Sequence, residues 1–176
     1  MASDTKNVKL GVCKVTLGGT DLGYTKGGVE VTVSTDTHPV TVDQFGESEI
    51  SERITKRSVK AKIPLAETTL ENMVEIMPGA TLVVDGTDPL IKRVDVVNSI
   101  GTDLLTIAKK LVLHPQDNAV DDLNDDFIIP LASTAGALNF AYKIDQERIF
   151  DVEFTGYPDN TNNDVVFMIG DESATV

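Results

Sequence analysis

Few residues in this chain are equipped for chemistry: two histidines (His38 and His114), one cysteine (Cys13), and a dense run of aspartates. Histidine and cysteine together suggest a transition-metal site. Each histidine is followed by proline, however, and no CxxC, HxxxH or HExxH spacing gathers ligands. Cys13 lies in a strand-like stretch and reads as a small buried hydrophobe, and a lone cysteine excludes an internal disulfide framework. The segment Asp117–Asp126 (DNAVDDLNDD) holds five aspartates and no base. Read from Asp122, the positions Asp122, Asn124 and Asp126 imitate the start of a calcium loop. Phe127 then stands where glycine is needed, and Ser133 where the bidentate glutamate should be. A solvated acidic loop is the better reading, with weak cation binding as the alternative.

Nucleophilic and nucleotide chemistry have no signature. No GxSxG, P-loop or GxGxxG motif occurs, and Gly18-Gly19 opens no helix. Asp151 and Glu153 share one face of a predicted strand and form a carboxylate pair. Glycosidase sites add aromatic platforms to such pairs, and this chain has no tryptophan and only 5% aromatics. The expectation is a protein that is not an enzyme and carries no cofactor. The net charge of −13 argues against gripping a phosphate backbone, which takes clustered Lys and Arg.

The elements that position these residues are mostly strands. Gly27–Gly46 organises the chain. Val29, Val31 and Val33 alternate with Glu30, Thr32 and Ser34, the mark of a half-buried strand. After Pro39 the apolar positions become even, Val40 and Val42, so a bulge or turn is expected within Thr35–Pro39. A first strand is predicted over Val8–Leu17, with Gly11 at a bulge or close contact, followed by a turn at Gly18–Asp21. Gln44–Lys56 reads as a long polar loop, and Arg57–Leu65 resumes alternation. The one predicted helix covers Thr68–Met77. Thr68 and Glu71 would form its capping box, and Leu70, Met73, Val74 and Met77 its stripe against the sheet. Further strands are predicted over Thr81–Asp85, Ile91–Val97, Leu104–Leu113, Phe127–Ala132, Leu138–Ile144, Arg148–Gly156 and Val165–Ile169.

At 176 residues a single domain spanning 1–176 is expected. No apolar run approaches the ~20 residues that span a bilayer. The N-terminal MASDTKNVKL has no charged-then-apolar signal, so the chain is expected to fold where it is made. Many short strands and one helix indicate a mostly-β fold of two packed antiparallel sheets, sandwich-like or barrel-like, with one flanking α-helix.

Within this pattern, GGTDLGYTKGGVEVTV, the VDQFGESEI turn and VKAKIPLAETTLENM leading into the helix resemble a bacteriophage major tail tube protein. Farther on, YKIDQERIFDVEFTGYPD is consistent with the same family. The resemblance implies a structural subunit of the virion tail, made in the host cytoplasm. Its copies would form hexameric rings stacked into a tube that conducts genomic DNA during ejection. It also implies that the inner strands of neighbouring subunits join into one closed barrel. The partners it implies are further copies of this chain, tail proteins at the tube ends, a tape measure protein in the lumen before ejection, and a sheath if the tail contracts. DNA would pass without specific binding, and no membrane is involved. The competing reading is a monomeric ligand- or cation-binding β-sandwich module.

Simple geometry accommodates a duplex. Six copies giving about four strands each, spaced ~4.8 Å and tilted ~40°, make a circle roughly 45–50 Å across. On this reading Glu30, Thr32, Ser34, Asp36, Asp43, Asp151 and Glu153 line the lumen, where carboxylates and hydroxyls repel and hydrate a polyanion without basic contacts. Lys60 and Lys62 would pair with acids across strands or face another subunit. Glu47, Glu49, Ile50, Glu52, Arg53, Ile54 and Lys56 would form the contact between stacked rings.

Overall fold

The computed structural model describes residues 11–174. Ten strands appear in order: β1 (Cys13–Leu17), β2 (Thr20–Asp21), β3 (Glu30–Thr41), β4 (Glu49–Leu65), β5 (Ala80–Val84), β6 (Lys92–Val96), β7 (Lys109–Pro115), β8 (Phe127–Ser133), β9 (Phe150–Tyr157) and β10 (Met168–Ile169). One helix, α1 (Leu70–Ile76), lies between β4 and β5. One large antiparallel sheet runs β2-β1-β7-β8-β9-β4-β3, with β10 also paired to β8, and β5-β6 form a small second sheet. The fold is thus mostly β with one helix, but the sheets are very unequal, and the described residues of the single chain form no closed barrel.

Alternation along the strands builds the core. Val15 and Leu17 of β1, Val59, Ala61, Ile63 and Leu65 of β4, Leu111 and Leu113 of β7, Ile129 and Ala132 of β8, and Phe150, Val152 and Phe154 of β9 form one buried cluster. Ile76 of α1 joins it. Gly156 is the close approach within this core. A Cβ there would stand 2.3 Å from Val59 Cγ1 and 2.7 Å from Ile129 Cγ2, so only glycine lets β9 fit between β4 and β8. Gly18 and Gly19, at φ 57° and 87°, form the tight turn joining β1 to β2.

Several expectations need correction. Residues 8–10 of the first predicted strand lie outside the described residues, and the described strand begins at Cys13. The polar stretch Gln44–Lys56 is not a loop. It holds a short 3-10 turn at Asp43–Phe45 and then the first half of a 17-residue strand. Neither face of that half is buried, so its strand character leaves no alternation in the sequence. The strand predicted from Leu104 starts only at Lys109, and Leu138–Ile144 forms no strand. The helix cap is Thr69, whose hydroxyl accepts from the Asn72 amide at 3.1 Å, and not a Thr68–Glu71 box. Thr68 instead accepts from the Arg148 guanidinium at 2.6 Å. The helix face turned to the core centres on Asn72 and Ile76, with Met73 packed beside them. Leu70, Val74 and Met77 are partly buried at its flanks. A buried asparagine breaks the apolar stripe, and its reason is specific: Asn72 Nδ2 donates to the carbonyls of Leu22 and Glu67, both at 2.9 Å.

Candidate assembly surface

The core residues of β4 and β9 place their neighbours on the opposite, solvent-facing side. On that side the ladder sets Glu30 of β3 against Lys62 of β4, and Lys62 against Glu153 of β9. The next rung aligns Thr32, Lys60 and Thr155, and beyond it Ser34 faces Ser58, their hydroxyls 2.7 Å apart. Asp151 lies opposite Pro64 at the other end. Glu30, Thr32, Ser34, Asp151 and Glu153 therefore share one exposed face. Asp36 follows at its margin, its carboxylate 4.0 Å from Lys56 Nζ. Asp43 does not belong to the face and sits in the 3-10 turn at the ribbon's tip.

The same register corrects one expectation. Lys60 and Lys62 stand in the middle of the face, so it is not free of basic contacts. Lys60 Nζ donates to Glu153 Oε1 at 2.7 Å, with both side chains about half exposed (53% and 54%). The face is a chequer of three carboxylates (Glu30, Asp151, Glu153), two ammonium groups and a fringe of hydroxyls. Glu30 and Glu153 flank Lys62 on one rung, and Glu153 also reaches Lys60 on the next, so opposite charges lie side by side across the face.

Beyond Ser58 the ribbon leaves the sheet. β9 pairs with β4 only from Val59 to Leu65, so residues 35–57 form a two-stranded arm with no third strand among the described residues. Its expected bulge is present: Asp36 pairs with Lys56 but Thr37 with Ile54, leaving Thr55 extra. Thr55 Oγ1 donates to the Asp36 carbonyl at 3.1 Å and so holds the bulge. A second irregularity leaves Ile50 unpaired between Ser51 and Glu49. Pro39 is accommodated because β3 is an edge strand, paired only with β4 among the described residues. Glu49, Ile50, Glu52, Arg53, Ile54 and Lys56 all lie on the β4 side of this arm, and Glu47 lies in the turn before it. Phe45, Ile54 and Ile50 are 66%, 60% and 50% exposed. A lone two-stranded ribbon is marginal in water, and apolar side chains along one imply a covering surface.

The acidic loop is wired internally. Asp126, 3% exposed, meets His114 Nδ1 at 2.6 Å, and its carbonyl accepts from the Gly170 amide. Asp122 Oδ1 accepts from Asn124 Nδ2 at 2.7 Å, and Asp125 accepts from Asn118 at 2.8 Å. Among the described residues no group of three or more His, Cys, Asp or Glu side chains is arranged to hold a metal ion. Cys13 is half-buried, and that burial pushes its thiol pKa up.

Comparison with protein-family models finds no match, and comparison with curated protein sequences finds none either.

Proposed function

We propose that this chain is the repeating structural subunit of a phage tail tube, assembling as hexameric rings stacked around a bore that conducts DNA. The observation that carries this reading is the arm of residues 35–57, which exposes Phe45, Ile50 and Ile54 and, among the described residues, has no third strand against it. Two further features support it. The outer edge of β3 has no strand beside it among the described residues, and a long open edge is a template for another chain. The face shared by β3, β4 and β9 combines mixed charge with hydroxyls, which suits a bore that must hydrate DNA without holding it.

In this reading the sheet edges close the ring and the arm reaches the next ring. Electron microscopy and sedimentation of the purified chain test it. Rings or filaments are expected as concentration rises. A monodisperse monomer across concentration and salt would overturn the proposal. The bore assignment has its own test: replacing Glu30 and Asp36 with lysine should leave assembly intact and impair DNA ejection, and unchanged infectivity would move the bore elsewhere.

A further inference from the structure

Leu138–Ile144 has the sequence of a strand without being one. Leu138, Phe140, Tyr142 and Ile144 alternate with Asn139, Ala141 and Lys143, yet the segment joins no ladder. Phe140, Tyr142 and Ile144 are 37%, 79% and 106% exposed. Period-two alternation encodes one covered face; Leu138 packs on the core and Phe140 on Phe150, but the described residues leave Tyr142 and Ile144 largely uncovered.

The segment is tethered at the right place to find cover for them. The Phe140 ring packs edge-on to Phe150 at 5.3 Å, and Arg148 lies over the Phe140 and Tyr142 rings. It therefore lies beside the start of β9. There β8 pairs only with Thr155–Tyr157, so among the described residues no strand lies along Phe150–Phe154 on the edge away from β4. At the far side of the same face, β3 presents an edge whose only partner strand among the described residues is β4.

The two edges and the segment are complementary. With Phe140 already on the Phe150 side, the even residues continue the apolar side carried by Val31 and Val33. Lys143 then falls on the polar side of the sheet, the side that also carries Thr32 and Ser34 of β3. Direction agrees as well. β3, β4 and β9 alternate in sense, so a strand turning back along β9 runs antiparallel to β9 and also to the β3 of a neighbour in the same continuous sheet. Three strands carry the face in one chain, and this segment would make the fourth.

We propose that Leu138–Ile144 is the joining strand, ordered between β9 of one copy and β3 of the next copy of this chain. The proposal rests on the reading of the chain as a self-assembling subunit. Hydrogen exchange on the full chain, as monomer and as assembly, tests it together with Ala141→Pro, which removes a ladder donor from a segment that forms no ladder in the monomer. Fast exchange at 138–144 in the monomer is expected, with protection rising by about 100-fold or more on assembly, both there and at 30–36. Ala141→Pro should keep the monomer's melting temperature and fail to assemble. Wild-type assemblies in which 138–144 still exchange fast would overturn the joining strand while leaving self-assembly intact, as would an Ala141→Pro chain that assembles normally. Strong protection already in the monomer would assign the segment to its own β9 and overturn the inter-copy role. A wild-type chain that never assembles would remove the underlying reading and this one with it.

Discussion

Lys60 on β4 reaches diagonally across the ladder to Glu153 on β9, Nζ to Oε1 at 2.7 Å, although its direct partner in register is Thr155. Both side chains are about half exposed, so solvent screens the pair and it contributes at most about 1 kcal/mol. Lys60→Ala is expected to shift monomer stability by no more than that, measured by denaturant unfolding. If the face lines a bore, as proposed above, Lys60→Glu makes it more acidic and leaves Lys62 as the lysine at its centre. Stability should then change little while DNA passage remains fast. A slowed ejection would show that the lysine has a role beyond pairing.

Gly156 sits where a methyl group would collide with Val59 and Ile129. Both neighbours are fully or nearly fully buried in the central cluster and have no solvent side to move toward. Gly156→Ala should destabilise the fold by about 1–3 kcal/mol through overpacking. Equilibrium unfolding checks this, and a neutral result would mean that β9 can slide along its ladders.

Asn72 ties three parts of the chain together: its amide is capped by Thr69, and its side chain holds the Leu22 and Glu67 carbonyls. Asn72→Ala strips two buried acceptors of their donor, at a cost of about 1–3 kcal/mol. Asn72→Leu should be no better, because the added apolar volume leaves the same carbonyls unpaired. Thermal melts of the two variants make the comparison.

What the residues revealed in advance follows from burial. Strands with one covered face declared themselves: Val59, Ala61, Ile63 and Leu65 alternate, and so do Phe150, Val152 and Phe154. The parity change after Pro39 foretold the bulge, although the extra residue, Thr55, lies on the opposite strand and no pattern in β3 could name it. The arm was illegible as strand because a ribbon exposed on both faces leaves no hydrophobic period, only a polar sequence resembling a loop. The helix stripe misled because Asn72 is buried for its hydrogen bonds, a role that depends on Leu22, 50 residues away. Alternation put Glu30, Thr32 and Ser34 on one face and Asp151 with Glu153 on another strand's face, but it misplaced Asp43, which sits in the turn. The placement of Lys60 and Lys62 between the acids depended on register, which alternation alone does not supply.

Asp21 predicts a pH dependence. The Gly23 amide donates to its carboxylate at 2.9 Å and Lys14 sits 3.1 Å away, and together they hold its pKa below the ordinary aspartate value despite some desolvation. A lowered pKa in the folded state means that the unfolded chain takes up the proton first. Its stabilisation is therefore present above the unfolded value, near pH 4, and is lost as pH falls through the folded value. Asp21→Asn should lower the melting temperature at neutral pH by a small amount, since the pair is about half exposed and screened. The difference from wild type should shrink as the pH is taken from about 5 toward 2. A gap that stays constant across that range would show that the side chain matters through shape and not through charge.

The arm offers the sharpest separation between folding and assembly. Ile50 and Ile54 are half or more exposed and lie on the part of β4 that β9 does not reach. Replacing both with serine removes mostly open apolar surface, so the stability of the isolated chain should change by less than about 1 kcal/mol. If the arm docks on another copy, the half of each isoleucine that is open in the monomer is buried there, and the double variant should lose roughly 0.8–1.5 kcal/mol per side chain of contact free energy. That loss corresponds to a rise of roughly tenfold to a hundredfold in the concentration needed to assemble, at about 1.4 kcal/mol per tenfold. Sedimentation velocity across a concentration series measures this directly. Equal assembly of variant and wild type would show that the arm's exposed isoleucines play no part in joining copies, and that the covering surface must be sought elsewhere on the molecule.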